Sequence, residues 1–300
     1  MKKGGIIAVI LAVVLIVAGG ILLVLGLSYA GSSTPESTLT QQDILISESF
    51  DNIVIDTADC DVEFVMLSGR ADTQITLLEQ PGVAHSVTVG EGTLRIEMMD
   101  TRKWTDHIGI FNVFGKTERM KMTVCLPAAE YASLQVRTDT GDITLTQEPA
   151  FREVMLRSDT GDISCVMGVG VDTLDCMTST GDISVQNSAP NRMKLQSDTG
   201  DLKVSVVAGD EIHLKTDTGE VDARNVNALM FICSADTGEV ELENVHAQDY
   251  LQAFTGTGDI DIENCDAKEV NIESSTGDIT VPAGWKTQRI ETDTGSVRFE

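Results

Sequence analysis

Positive charge is scarce in this sequence: 21 lysines and arginines stand against 47 aspartates and glutamates, a formal charge of −26 over 300 residues. So acidic a chain repels phosphate, which excludes nucleic acid and leaves cationic peptides, cell-wall components, protein partners or metal ions. Histidine is scarcer still. The four copies, His85, His107, His213 and His246, are scattered, and no nucleophile elbow, phosphate loop or zinc-binding spacing accompanies them. Catalysis is not expected, and no cofactor is called for.

Long apolar runs are also absent, with one exception. Residues 4–27 carry no charge and follow Lys2 and Lys3. At about 1.5 Å per residue such a run crosses a hydrocarbon core of roughly 30 Å. Residues 1–30 are therefore expected to be a single-pass anchor, inserted in the cytoplasmic membrane through residues 5–27. Its lysines would stay in the cytoplasm and everything after it would be extracytoplasmic. Ser28-Tyr29-Ala30 offers the small residues a signal peptidase reads, so a cleaved signal is the alternative. No lipobox cysteine follows the run and no wall-sorting tail precedes the closing VRFE, so lipoprotein and sortase anchoring are not expected. Residues 31–43, small and polar with Pro35, have the composition of a flexible linker.

What the sequence has in quantity is one motif. SDTGDIS at Ser158–Ser164 returns in variant form nine times, on Gly141, Gly161, Gly181, Gly200, Gly219, Gly238, Gly258, Gly277 and Gly295, at intervals of 18 to 20 residues. Counting each glycine as position 0, positions −7, −5, −3, +2 and +4 are apolar or small, and those between are mostly polar. Alternation of period two on both sides of a glycine means two strands meeting at a tight turn, each with one buried face. A type II turn, with glycine third, accounts for the glycine by its positive φ, and the Asp at −2 (Asp139, Asp159, Asp198, Asp217, Asp236, Asp293) can bond its own backbone there. All variation in repeat length falls between +4 and −8, so the second connection is expected to be loose. Coils of about twenty residues stacked in register make a parallel β-solenoid, right-handed by the crossover rule, over residues 132–300. Residues 44–131 are β-rich but irregular. Thr57–Phe64 looks like a worn motif with Cys60 in the glycine slot, 81 residues or close to four coils before Gly141. This half is expected to be degenerate capping coils of the same all-β fold.

Six cysteines in an exported chain suggest disulfides, but their places in the repeat do not. Cys176 and Cys233 stand at −5, where other copies have Val136 or Leu195, and Cys165 stands at +4, where others have Leu145 or Val185. They read as small buried apolar residues. If any pair bridges, it is Cys165 with Cys176.

Three features are candidates for function. The first is the acid at +1, Asp142, Asp162, Asp182, Asp201, Asp259 and Asp278, with glutamate at Glu220 and Glu239. Carboxylates stacked about 4.8 Å apart repel, so a hard cation such as Ca²⁺ bridging adjacent coils is one reading; carboxylates accepting turn N–H bonds is the other. The second is the threonine at −1, present in all nine copies, which together with the Thr or Ser at −3 makes a T-x-T array expected to form a hydroxyl ladder that steadies the turns. The third is the non-repeating stretch 100–119, where Trp104, His107, Phe111 and Phe114 lie beside Arg102 and Lys103. It is either a cap over one end of the solenoid or a contact surface for anionic lipid, a wall polymer or a protein.

An anchor, an irregular β lead-in ending in Val124-Cys125-Leu126-Pro127, and serial T/S-D-T-G-D-I motifs together resemble the DUF4097 family over about residues 44–300. The resemblance implies a β-strand-repeat protein of the bacterial envelope, acting as an adhesin or as a structural or binding module. Some relatives are tied instead to envelope stress caused by cationic antimicrobial peptides, which implies a sensor or decoy as the alternative. The helical cytoplasmic module of some relatives is not found here.

Overall fold

The computed structural model describes residues 39–67, 69–100, 119–145, 150–286 and 288–300. The expected anchor lies outside these residues, and no described helix is long and apolar enough to cross a membrane.

The chain is all-β. From β8 (Glu130–Thr140) onward it climbs through β9 (Ile143–Leu145), β10 (Ala150–Thr160), β11 (Ile163–Val166) and β12 (Val169–Thr180). It continues through β13 (Ile183–Thr199), β14 (Leu202–Thr218), β15 (Val221–Thr237), β16 (Val240–Thr257), β17 (Ile260–Glu263) and β18 (Asp266–Thr276). It ends in β19 (Ile279–Val281), β20 (Arg289–Thr294) and β21 (Val297–Phe299). Every pairing among these strands is parallel and shifts the chain by one repeat, so Ile163 pairs Ile183, Ile183 pairs Leu202 and Leu202 pairs Val221. The nine glycine corners thus belong to stacked coils of a parallel β-solenoid.

Register makes the core. At +2, Ile143, Ile163, Ile183, Leu202, Val221, Val240, Ile260 and Ile279 are all 0 % exposed. The −7 and −5 columns are buried as well, from Leu134 and Val136 up to Val270 and Ile272. Each inward side chain touches its equivalent in the next coil, so stability is close to a sum of nearest-neighbour terms. Width is balanced within a coil: where Phe231 fills −7, Ala223, Cys233 and Ala235 occupy nearby inward slots, all fully buried.

The first strands do not follow stacking order. β2 (Asn52–Asp56) pairs in parallel with both β6 (Thr93–Asp100) and β8, and β3 (Cys60–Leu67) pairs with both β7 (Met120–Pro127) and β9. The first coil of the sequence is therefore the inner one, with the second added on its outer side. Cys60 does occupy a glycine slot, but its coil lies directly against that of Gly141, not four coils away; the intervening residues build the outer coil and its cover. That cover is antiparallel: β5 (Val83–Gly90) runs along β6, β4 (Thr73–Glu79) along β7, and β1 (Thr40–Ile46) along β4. Changing strand direction interrupts the parallel lattice at this end, where an open ladder would invite strand addition.

The connection expected to be loose is a second ordered corner. At +6, Asn187, Val206, Asn225, Asn244 and Asn264 all adopt left-handed backbone, with φ between 47° and 55°. Asparagine tolerates this conformation, and the side chains also link coils: Asn244 Nδ2 donates to Asn225 Oδ1 at 3.2 Å, and Asn264 donates to Asn244. The length variation falls after this corner, not at it.

Candidate functional site: the acidic corner

Eight of the nine corner glycines have φ between 146° and 152°, Gly141 being the exception. This is not the φ of about 80° that a type II turn requires at its third position. The glycine has a second reason: a Cβ on Gly200 would overlap the carbonyl oxygen of Gly181 one coil below, and every other corner glycine faces its lower neighbour in the same way. The corner is a stack of glycine carbonyls into which no side chain fits.

Most of these carbonyls are taken up by a hydroxyl from the −3 half of the expected ladder; the corner above Gly219 is an exception, with Ala235 at −3 and no hydroxyl to donate. The residue at −3 donates: Ser158 to Gly141 at 3.0 Å, Thr178 to Gly161 at 3.0 Å, Ser197 to Gly181 at 3.0 Å, Thr216 to Gly200 at 2.9 Å and Thr255 to Gly238 at 2.8 Å. These −3 side chains are buried. The −1 threonines lie at the exposed surface and contribute their backbone, as where Gly181 N–H donates to Thr199 O at 2.9 Å. Nor does the −2 aspartate bond its own turn among the described residues: Asp217 pairs with Lys215 at 3.0 Å and Asp139 with Arg137 at 3.8 Å.

The +1 acids complete the corner. Asp142 N–H donates to Asp61 Oδ1 at 3.0 Å, Asp162 N–H to Asp142 at 2.9 Å, Asp182 N–H to Asp162 at 2.8 Å, Asp201 N–H to Asp182 at 2.8 Å and Glu220 N–H to Asp201 at 3.0 Å. Higher up, Asp278 N–H donates to Asp259 at 2.8 Å. Glycine and +2 N–H groups point up the stack to the next coil's carbonyls, while the +1 N–H points down and meets a carboxylate. A backbone donor left over by the parallel ladder is satisfied by a charged acceptor, a stronger bond than a neutral one. Lys203 on Asp201 Oδ2 at 3.3 Å, and Arg119 at 3.6 Å from both Asp61 and Asp142, neutralise part of the column. Asp162, Asp182, Glu239 and Asp259 have no ion pair among the described residues.

Beside the upper corners the outward side chains at +3 and +5 are acidic too: Asp222, Glu241, Glu243, Asp261 and Glu263. They surround Arg224, whose Nε lies 2.7 Å from Asp222 Oδ1 and whose terminal nitrogen lies 3.2 Å from Glu241 Oε2. A surface cleft of about 340 Å³ opens here, with Leu242 and Thr280 in its lining. Glu220, Asp222 and Glu241 bring one carboxylate oxygen each within 4.8 Å of the others. Burial, then the charges of Glu241, Asp201 and Asp222, push the Glu220 carboxyl above its usual range. Of the +1 carboxylates singled out from the sequence, Asp142, Asp162, Asp182, Asp201, Asp259 and Asp278 form the column and lie outside this three-acid group, which Glu220 alone of the +1 acids joins. Trp104, His107, Phe111, Phe114, Arg102 and Lys103 lie outside the described residues.

One polar network was not signalled by the repeat. Thr57 fills the −3 slot of the Cys60 corner, and its hydroxyl meets His85 Nε2 at 2.9 Å. Glu79 Oε1 accepts the His85 backbone N–H at 2.6 Å and lies 2.9 Å from Nδ1. With Nδ1 carrying the proton toward Glu79, Nε2 accepts from Thr57, and all three residues are buried. The order hydroxyl, imidazole, carboxylate is that of a hydrolytic triad, but here it ties the cover strands β4 and β5 to the first coil. A pairing pattern across β5 would be needed to find His85 in sequence, since it stands outside the repeat.

Fold and corner together define a parallel β-solenoid with an interlocked, acid-lined edge. The sequence matches the family described as Toastrack DUF4097 over residues 50–232 and again over 200–299, and the protein belongs to that family. Among solved structures, a putative adhesin from Parabacteroides distasonis covers 87 % of this chain and 98 % of its own, at 14 % identity and a TM-score of 0.52. A putative adhesin from Bacteroides fragilis covers 89 % and 99 %, at 17 % identity and a TM-score of 0.46. Likeness at such identities concerns the fold. Among curated proteins, none matches the sequence.

Proposed function

We propose that this protein is a non-enzymatic, adhesin-like binding module of the bacterial cell envelope, held at the cytoplasmic membrane by residues 5–27 with its solenoid on the outside, and that it engages cationic partners. The observation that carries the ligand class is the upper acidic face, where Asp222, Glu241, Glu243, Asp261 and Glu263 adjoin the +1 column around Arg224. Like charges at coil spacing raise the local potential, which a row of lysines or arginines would relieve. The structural neighbours, described as adhesins, support a binding role over a catalytic one. A periodic acid column also supports it, because an active site breaks a repeat.

The test is a titration with a lysine-rich peptide at several salt concentrations, using the protein and its Glu241→Gln/Asp261→Asn/Glu263→Gln variant. Binding that weakens steeply with salt and is reduced in the variant is expected. Binding indifferent to salt and lost in Trp104→Ala would move the contact to the stretch 100–119 and make adhesion through that surface the better reading.

A further inference from the structure

We propose that Cys165 and Cys176 form a dithiol that closes to an intramolecular disulfide on meeting a disulfide oxidant. Their sulfurs lie 3.9 Å apart in the interior, at 2 % and 0 % exposure, and all six cysteines are free thiols in this structure. The +4 side chain of one coil and the −5 side chain of the next are paired here by the repeat. Elsewhere that pair is Leu145 with Leu156, or Val185 with Leu195, and only at this level are both residues cysteine. Moving from 3.9 Å to the roughly 2.05 Å of an S–S bond is a movement of side-chain size.

Access comes from the same coil. β11 stops at Val166 and β12 starts at Val169, and the ladder to β13 slips between Val169 and Val171. Gly170 has φ 89°, and the +6 slot holds Met167 in place of the asparagine corner. The coil is irregular here, and its opening would uncover Cys165 near the end of β11. In the closed state, the hydrogen bond with Cys165, then burial, raises the Cys176 thiol well above its ordinary range, so reaction belongs to the opened coil.

The chemistry is thiol–disulfide exchange with a small disulfide, RSSR. The Cys165 thiolate attacks one sulfur and expels RS⁻, leaving a mixed disulfide. The Cys176 thiolate then attacks the Cys165 sulfur and expels the second RS⁻. The two cysteines lose two protons and two electrons, and RSSR leaves as two RSH. The product links Cys165 to Cys176 across the interior and clamps the irregular segment between them.

Incubating the full-length protein with oxidised glutathione, with and without urea just below the unfolding transition, tests this. The expected product is lighter by two hydrogens, carries no glutathione, and yields in a non-reducing digest one peptide pair joined through Cys165 and Cys176. Cys165→Val, which places the residue of Val185 in the same slot, should fold and lose that cross-link. Stable glutathione adducts without the cross-link, a bridge between other cysteines, or no oxidation in either condition would each overturn the proposal.

Discussion

Asp162 accepts the backbone N–H of Asp182 on Oδ1 at 2.8 Å, a carboxylate from one coil closing a donor of the next. The bond repeats along the column and fails where the acid is glutamate: among the described residues, neither Glu220 nor Glu239 accepts the +1 N–H above it. One extra methylene carries the carboxylate past the donor. Glu220→Asp and Glu239→Asp should therefore each stabilise the fold by about 0.5–1 kcal/mol, seen as a higher urea midpoint at unchanged slope. Midpoints that fall would show the bond to be incidental.

Val206 sits where Asn187, Asn225 and Asn244 sit in other coils, at φ 55° with 54 % of its surface exposed. A β-branched side chain in left-handed backbone is strained, at a cost on the order of 1–2 kcal/mol. Val206→Asn should relieve the strain and fill the gap in the asparagine ladder between Asn187 and Asn225, raising the thermal midpoint. The reverse change, Asn225→Val, should lower it by a similar amount. Equal midpoints for all three proteins would remove strain from the account.

The −3 hydroxyls give a third prediction. Thr216 is fully buried and donates to Gly200 O at 2.9 Å, the partner that carbonyl has among the described hydrogen bonds. Thr216→Val preserves volume and removes the donor, so the loss should be about 1–3 kcal/mol, the cost of an unsatisfied buried group. Thr218→Val, at the exposed −1 position of the same corner, should cost far less. Chemical denaturation of both variants checks the assignment, and equal losses would return both positions to one ladder.

The repeat made most of this legible. Period-two alternation around a glycine specified buried columns, and a fixed interval specified parallel stacking. The corner was harder, because the glycine is required by a neighbouring coil's carbonyl, a contact that has no signature within one repeat. The −1 and −3 hydroxyls read as one array in the sequence; side-chain direction separates them, since −3 shares the inward face with −5 and −7 while −1 lies at the surface. The asparagine at +6 was visible in four of five middle coils and was masked by the variable segment after it. The crossing order of the first two coils could not be read at all, because pairing order is not encoded in local pattern.

Acid should weaken the last corner. Asp278 accepts Ser296 N–H at 2.9 Å and Ser296 Oγ–H at 3.0 Å, and faces Arg298 at 2.9 Å. The two serine bonds, then Arg298, hold its carboxyl below the usual carboxylate range in the folded state. A depressed folded value means the stabilisation is complete above the unfolded aspartate value of about 3.9 and is lost as pH falls through the lower folded value. Asp278→Asn should therefore lower stability at neutral pH and converge with the parent protein in acid. A difference that persists undiminished at the acid end would rule out the charge as its source.

Calcium separates the two readings of the column. Ca²⁺ takes six to eight oxygens, whereas seven of the column carboxylates, Asp61, Asp142, Asp162, Asp182, Asp201, Asp259 and Asp278, already give Oδ1 to a backbone amide above. In the three-acid group, Arg224 already lies against Asp222 and Glu241. A cation would have to displace that guanidinium or share carboxylates bound to amides, so thermal midpoints in millimolar Ca²⁺ and in chelator should coincide. If Ca²⁺ raises the midpoint, Asp222→Asn locates the effect: loss of the shift places the ion among Glu220, Asp222 and Glu241. A shift that survives places it on the column, and the amide-acceptor role of those aspartates would then be secondary to metal binding.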